Sequence, residues 1–188
     1  MNTAAPSVAP SVNGQVVALR PIPAAALAVI VDHPYSVSIT EPHSELARLQ
    51  ELHTATGFWS ELAGALAIVE PASERLLGTI QFYRSAPCIH GIEIGYLIHS
   101  ESDRGKGYAS AALQLFSDQL FLQRPQFYRH QLLIEVWNTP SWKVAERCGF
   151  VREGVLRSCG FGDGDPADCF VYSRTAKDVR QQRASANG

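Results

Sequence analysis

Hydrophobic residues recur along the chain with two periods, and the period separates strands from helices. Between residues 91 and 99 apolar side chains alternate with other residues, which is typical of a strand buried on one face. Between residues 107 and 123 they return every three or four positions, which predicts an amphipathic helix that ends before Pro125. The same patterns predict strands at residues 15–21, 65–70, 77–83, 131–137, 151–159 and 168–174, and helices at residues 24–31, 44–56 and 141–148.

This order of elements predicts one α/β domain. Because helices alternate with strands, we expect them to pack on both faces of a mixed sheet. Residues 1–14 are rich in Ala, Pro and Ser, and residues 177–188 are polar, so we expect a disordered N-terminal tail and a frayed C-terminal tail. The domain then covers residues 15–176.

Composition and charge exclude several classes of protein. The 188 residues carry 16 basic against 18 acidic side chains, a net charge of -2, so nothing in the charge favours nucleic acid or an anionic membrane as a partner. The apolar run at residues 24–31 is too short to span a bilayer and lacks the features of a secretion signal, so we expect a cytoplasmic protein. The four cysteines have no metal-binding spacing, which predicts free thiols and no metal.

The strongest local signal is the segment RGKGYA at residues 104–109, directly between a predicted strand and a predicted helix. Glycines let backbone N–H groups approach a ligand, and the beginning of a helix favours an anion. Arg104 and Lys106 add positive charge. These features predict a pyrophosphate site, although the loop alone is also compatible with a solvated turn. A dinucleotide-binding fingerprint is disfavoured because Ser110 replaces its third glycine.

Two motifs together resemble the GCN5-related N-acetyltransferases (GNAT). RGKGYA fits their Q/R-x-x-G-x-G/A motif, and residues 138–157 resemble the N-x-x-S…E-(K/R)-x-G-F-x-x-E-G-x-x-R stretch of the RimJ/RimL-like branch. That branch acetylates the N-termini of ribosomal proteins. The strand IEIGY at residues 92–96 and the pair Asp168 and Tyr172 are similar to further motifs of the branch.

The resemblance implies a sheet that splays open between its fourth and fifth strands, at residues 91–99 and 131–137, with acetyl-CoA as co-substrate in the opening. The acceptor would be a protein N-terminal α-amine or a small amine-bearing metabolite or antibiotic, and the enzyme would be a monomer or a homodimer. The residues implied to bind coenzyme A are Leu97, Ile98, His99, Arg104, Gly105, Lys106, Gly107, Tyr108, Ala109, Ser110, Asn138 and Ser141.

Attack on a thioester requires a neutral amine. At pH 7 the neutral form costs about 4.6 kcal/mol for a lysine side chain but only about 1.1 kcal/mol for an α-amine, so a modest base suffices for the α-amine. The candidate bases are Glu93, which ranks first, Glu135, His90 and His99. The backbone N–H of Leu97 or Ile98 would hold the oxyanion.

The leaving thiolate needs a proton or a hydrogen bond. By position in the motif Ser141 would supply it, and Asn138 would hold the pantetheine amide, although helix capping explains the same spacing. Tyr172 is a second candidate donor, with a buried structural tyrosine as the alternative.

Two other classes of function are weighed against the enzyme. A catalytically silent acyl-CoA sensor would bind the ligand without releasing its thiol. A dinucleotide-dependent oxidoreductase is disfavoured by the loop. The acceptor would be read by loops at residues 34–42, 57–61 and 160–166, whose aromatic residues either line a pocket or belong to the core. Those aromatic residues are Tyr35, Phe58, Trp59 and Phe161.

Overall fold

A computed structural model describes residues 8–32, 46–86, 89–159 and 167–186. The strands are β1 Val12–Asn13, β2 Ala18–Arg20, β3 Ala63–Val69, β4 Leu76–Arg84, β5 Gly91–Ile98, β6 Arg129–Glu135, β7 Val151–Leu156 and β8 Cys169–Thr175. The helices are α1 Leu27–Val31, α2 Leu46–Thr56, α3 Tyr108–Gln123, α4 Thr139–Arg147 and α5 Ala176–Ala186, with 3₁₀ turns at Ala24–Ala26 and Glu101–Asp103. The chain divides into an N-terminal unit, Met1–Tyr83 with Gly95–Phe116, and a C-terminal unit, Arg84–Ile94 with Ser117–Gly188.

The N-terminal unit contains β1 to β4 as antiparallel neighbours, followed by the second half of β5. On one face of β3, alternate residues pack against α1 and α2, where Leu27, Ile30 and Leu49 are buried. On the other face the rings of Trp59 and Phe116 lie 6.4 Å apart, so the first half of α3 covers that face. The helices therefore lie on both faces of the sheet in this unit, as the hydrophobic pattern predicts.

Gly78 on β4 lies directly against the backbone of β5. A β-carbon built at this position would lie 2.0 Å from the carbonyl oxygen of Leu97, a separation that no side chain tolerates. The glycine therefore allows the close approach of the two strands.

The C-terminal unit contains the first half of β5, then β6, β8 and β7 in that order. The pairing of β5 with β6 is parallel and joins Gly91 to Arg129, Ile92 to His130 and Glu93 to Gln131. These three pairs lie at the beginnings of both strands. The pairing of β6 with β8 is antiparallel and runs along all seven residues of β6, and β7 forms the edge.

The structure confirms the α/β class with a mixed sheet. Within the described residues each predicted strand and helix is found, with bounds that differ by a few residues. The predicted helix at residues 44–56 corresponds to α2, and its first two residues lie outside the described ranges. Two elements were not predicted. The short strand β1 lies in the expected N-terminal tail, and α5 lies where a frayed end was expected.

The beginning of α5 explains why that segment is helical. The side chain of Asp178 accepts the N–H of Thr175 at 2.8 Å, and the N–H of Asp178 donates to the Thr175 hydroxyl at 3.3 Å. This reciprocal capping satisfies donors that the first turn of a helix otherwise leaves unpaired. Among the described residues, no helix combines the length and the apolar character that a membrane span needs.

The aromatic residues assigned to the acceptor loops have different outcomes. Phe58 and Trp59 are buried, at 5% and 4% exposure, and belong to the core of the N-terminal unit. The core alternative is therefore confirmed for these two. Tyr35 and Phe161 lie outside the described residues.

Candidate active site

The loop that precedes α3 holds two glycines in a left-handed backbone conformation. Gly105 and Gly107 have φ angles of +76° and +86°, in the left-handed region that favours glycine. A β-carbon at either position would meet nothing within 4 Å, so these glycines serve backbone conformation and access rather than packing. The helix begins at Tyr108, and the first N–H groups of a helix have no earlier carbonyl within it to bond. The predicted strand–loop–helix context of the motif is confirmed.

Lys106 is held beside a buried carboxylate. Asp103 is 4% exposed, and its Oδ1 lies 3.2 Å from Nζ of Lys106. Arg75 binds the same carboxylate through two nitrogens, at 2.6 Å and 3.2 Å. The Arg75 guanidinium, and then Lys106, hold the pKa of Asp103 at about 2, against the effect of its burial. This carboxylate is therefore ionised at neutral pH.

Arg104 contacts the end of β5. Its Nε donates to the carbonyl of Ile98 at 3.3 Å, and its Nη2 donates to the carbonyl of His99 at 3.4 Å. The side chain is about half exposed and also lies 3.6 Å from the Glu101 carboxylate. Arg104 therefore links the strand to the loop.

The backbone of β5 distinguishes the two candidate oxyanion donors. The N–H of His99 donates to the carbonyl of Leu77 on β4 at 3.0 Å. Since N–H groups along a strand point alternately to its two sides, the N–H of Leu97 also points toward β4, and that of Ile98 points away. Ile98 is thus the better placed donor, and the His99 amide is already engaged.

In the C-terminal unit Glu93 belongs to a row of polar residues that crosses three strands. It is 8% exposed and lies opposite Gln131, which lies opposite Ser173. The Gln131 amide donates to Glu93 at 3.4 Å, and its oxygen accepts from Arg129 at 3.0 Å. Arg129 also donates to Glu153 at 2.8 Å. Arg129 fixes the orientation of the Gln131 amide, which presents its NH₂ group to Glu93.

Glu153, the glutamate of the G-F-x-x-E-G motif, has a structural role in this row. It accepts from Arg129 and, at 2.6 Å, from the hydroxyl of Ser173. The Arg129 guanidinium is the main cause that lowers the pKa of Glu153 to about 2. Glu153 therefore ties β6 and β7 to β8 and stays ionised at neutral pH, with its charge balanced by Arg129.

Glu135 lies at the other end of β6, beside Asn138 and Ser141. Glu135 is four residues beyond Gln131, about 13 Å along the strand, so it lies in a different part of the sheet from Glu93. The Asn138 side chain accepts the N–H of Ser141 at 3.3 Å, and Asn138 caps α4. The capping interpretation is confirmed, and it leaves open a second role for either side chain.

Tyr172 and Glu146 form a pair on the opposite face of the sheet. Tyr172 lies opposite Leu132 on β6, so its side chain is on the face away from Gln131. It is fully buried, and its hydroxyl donates to Glu146 at 3.0 Å. Burial, and then the Glu146 carboxylate, raise the pKa of Tyr172 to about 12. The hydroxyl thus anchors α4, and the structure does not bring it together with Glu93.

Other titratable groups include His90 and the cysteines. His90 is exposed, and its ring lies 5.8 Å from that of Tyr128. Cys148, Cys159 and Cys169 are free thiols, as predicted, and Cys88 lies outside the described residues. Burial is the main cause that raises the pKa of Cys169 to about 12, which makes it a poor nucleophile. No group of three or more potential metal ligands occurs within the ranges that the structure describes.

Sequence reasoning did not identify four of these residues: Arg75, Asp103, Arg129 and Gln131. Asp103 and Lys106 are three residues apart in the sequence, a spacing that could have suggested their contact. Arg75 is 28 residues from Asp103, so no local pattern predicts that pair. Strand pairing brings Gln131 next to Glu93 and Arg129 next to Glu153.

The chain belongs to the GNAT acetyltransferase family. The model of the acetyltransferase (GNAT) domain matches residues 17–151, which include the glycine loop, β5 and α4. Enzymes of this family use acetyl-CoA. The predicted resemblance is thereby confirmed.

The chain is similar in sequence to a ribosomal-protein acetyltransferase and in fold to solved acetyltransferase structures. It is 35% identical to the ribosomal-protein-serine acetyltransferase of Escherichia coli over 101 residues, 54% of this chain and 55% of that protein. The chain thus spans about half the length of this relative. Two solved structures share the fold. The spermidine/spermine N-acetyltransferase SpeG of Vibrio cholerae has a TM-score of 0.74 at 21% identity, covering 89% of this chain and 96% of that one. RimL, a ribosomal α-N-protein acetyltransferase in complex with coenzyme A, has a TM-score of 0.70 at 20% identity, covering 90% and 99%.

Proposed function

We propose that this protein transfers the acetyl group of acetyl-CoA to the α-amine of a protein or peptide N-terminus. The observation that carries the proposal is the glycine loop. Two left-handed glycines, the cations Arg104 and Lys106 and the first turn of α3 form a diphosphate site within a GNAT domain. Binding there would hold acetyl-CoA by its diphosphate.

The preference for an α-amine rests on three considerations. The neutral α-amine is about 3.5 kcal/mol easier to reach at pH 7 than a neutral lysine side chain, as their pKa values require. The net charge of -2 gives little attraction for a polyamine. The ribosomal-protein-serine acetyltransferase at 35% identity acts, by its name, on a protein.

The proposed reaction is direct transfer. The amine nitrogen attacks the thioester carbonyl carbon, the C–S bond breaks, and the thiolate of coenzyme A takes up a proton. The N–H of Ile98 would hold the oxyanion and Ser141 would hydrogen-bond the leaving sulfur. Glu93 is the preferred base because it is buried and oriented by the Gln131 amide. Glu135 is the second candidate.

Thiol release from acetyl-CoA tests the proposal. The protein would be mixed with acetyl-CoA and peptides that begin with Ser, Ala or Met, each with a free or a blocked α-amine, and with spermidine and a small-amine panel. We expect release only with free α-amines, with the acetyl group located on the first residue by mass spectrometry. Release with spermidine or small amines alone would refute the choice of acceptor. Coenzyme A binding without any release would favour the sensor instead.

Charge reversal of Arg104 tests the diphosphate site. Arg104→Glu replaces a cation beside the loop with an anion, so we expect coenzyme A to bind more weakly by more than ~1 kcal/mol. Arg157→Glu makes the same charge change at an exposed position just beyond β7 and serves as the control. Equal affinities for the two variants would contradict the role of Arg104.

A further inference from the structure

The contacts of Asp103 divide unequally between two cations. Arg75 engages both carboxylate oxygens, at 2.6 Å to Oδ2 and 3.2 Å to Oδ1. Lys106 engages only Oδ1, at 3.2 Å, and shares that oxygen with Arg75. Arg75 therefore satisfies most of the demand of this carboxylate for a counter-charge. The Lys106 side chain is about half exposed, and its ammonium is held by one shared contact.

A well-formed turn fixes the position of Arg75. The N–H of Arg75 donates to the hydroxyl of Ser73 at 3.3 Å, and its carbonyl accepts the N–H of Glu70 at 3.0 Å. The Ser73 hydroxyl in turn donates to the Glu70 carboxylate at 2.5 Å. The turn between β3 and β4 thus holds the Arg75 guanidinium next to the segment that leads into the glycine loop.

We infer that Arg75 is a positioning residue for the diphosphate site, because its hold on Asp103 leaves Lys106 available to the ligand. This inference rests on the proposed function, in which the glycine loop binds the diphosphate of coenzyme A. A buried carboxylate must have a positive partner. Without Arg75, Lys106 becomes the main partner of Asp103 and is withdrawn from the phosphate. Arg75 therefore acts through Lys106, and its side chain does not need to contact the ligand.

The first measurement uses titration calorimetry to compare the affinities of the wild-type protein and two variants for coenzyme A. Arg75→Gln is expected to weaken binding by about tenfold, the effect of weakening one charge-assisted hydrogen bond to phosphate. The matched control is Arg20→Gln. Arg20 carries the same charge, is paired with the neighbouring Glu74 at 2.9 Å, and lies next to the same turn. Arg20→Gln should leave the affinity for coenzyme A within about twofold of wild type, because Glu74 is exposed and its pairing with Arg20 contributes little to stability.

Two double variants separate this mechanism from the alternatives. In a Lys106→Met background, itself weaker, Arg75→Gln should cause no further loss, because its effect passes through the lysine. Combining Arg75→Gln with Asp103→Asn should restore most of the affinity, because the neutral amide no longer captures Lys106. The Lys106→Met background is the variant that separates this mechanism from a purely structural role. Asp103→Asn removes the unpaired buried charge under either mechanism, whereas a structural loss caused by Arg75→Gln would weaken binding without Lys106 as well.

Each contrary outcome overturns the inference. If Arg75→Gln weakens binding equally with and without Lys106, then Arg75 does not act through Lys106, and it either contacts coenzyme A itself or supports the fold of the loop. Loss of that effect with dephospho-coenzyme A would place the contact at the 3′-phosphate. If Arg75→Gln leaves the affinity unchanged, the pair has no role in binding. If the wild-type protein binds no coenzyme A, the proposed function fails, and the inference fails with it. If the wild type binds coenzyme A but Arg75→Gln behaves in one of the contrary ways above, only the inference fails.

Discussion

Replacing Gly107 with alanine tests whether the left-handed backbone of the loop serves ligand binding. At a φ of +86° an L-residue costs about 1–2 kcal/mol, and the absence of atoms within 4 Å of the new β-carbon means that strain is the whole cost. The chain can relieve this strain only by turning the residue to a negative φ, which would reorient the N–H groups around it. We therefore expect Gly107→Ala to weaken coenzyme A binding by tenfold or more, a loss of at least about 1.4 kcal/mol.

Two other glycines provide matched controls. Gly57 has a φ of +57° and also has no atoms within 4 Å of a built β-carbon, but it lies in the turn after α2. Gly57→Ala therefore controls for backbone strain introduced away from the loop. Gly154 in β7 has the same open space and no left-handed φ, so Gly154→Ala controls for the added methyl group.

Calorimetry and thermal unfolding on the same samples separate affinity from stability. Gly107→Ala and Gly57→Ala should lower the melting temperature by a similar amount, about 2–4 °C for each kcal/mol in a domain of this size. Only Gly107→Ala should lose affinity for coenzyme A, and Gly154→Ala should resemble wild type in both measurements. A Gly107→Ala variant that is destabilised like Gly57→Ala yet binds coenzyme A normally would refute the assignment of this loop to the diphosphate.

Three further predictions concern stability and turnover. Gly78→Ala should destabilise the fold by several kcal/mol, measured by urea unfolding, because its β-carbon would collide with a backbone carbonyl 2.0 Å away; a loss below about 1 kcal/mol would contradict the close approach. Burial and Arg174 lower the pKa of His130 to about 3, so the unfolded chain takes up the proton first. Stability should fall as the pH drops from 6.5 toward 3, by up to about 1.4 kcal/mol per pH unit, and His130→Gln should flatten this dependence. Ser141→Ala should lower turnover with little change in affinity, and a wild-type rate would remove Ser141 from the mechanism.

Local patterns in the sequence were sufficient to predict the glycine loop. Gly105 and Gly107 stand between an alternating strand and an amphipathic helix, and the structure gives both glycines the left-handed φ that this context requires. The cap at Asn138 was predictable for the same reason, since its bond to Ser141 spans three residues. Because these interactions involve residues close together in the sequence, a short sequence motif is enough to predict them.

The helix α5 shows that a local capping signal can outweigh a polar composition. The spacing from Thr175 to Asp178 is that of a capping box, whose two reciprocal bonds begin a helix. The polarity of the segment alone predicts a frayed end, and the structure shows a helix instead.

The partner of a charged residue depends on the tertiary structure when that partner is distant in sequence. The motif residues Glu146 and Glu153 were recognisable in sequence, but their partners Tyr172 and Arg129 lie more than 20 residues away. Arg75 gave no signal at all, because its contact with Asp103 depends on how β4 is placed beside the loop. The order of elements and the position of the glycine loop follow from sequence patterns alone, because they arise from short-range sterics and hydrogen bonding. Strand pairing and burial determined which carboxylates are neutralised by cations, because those contacts form only when distant segments pack together.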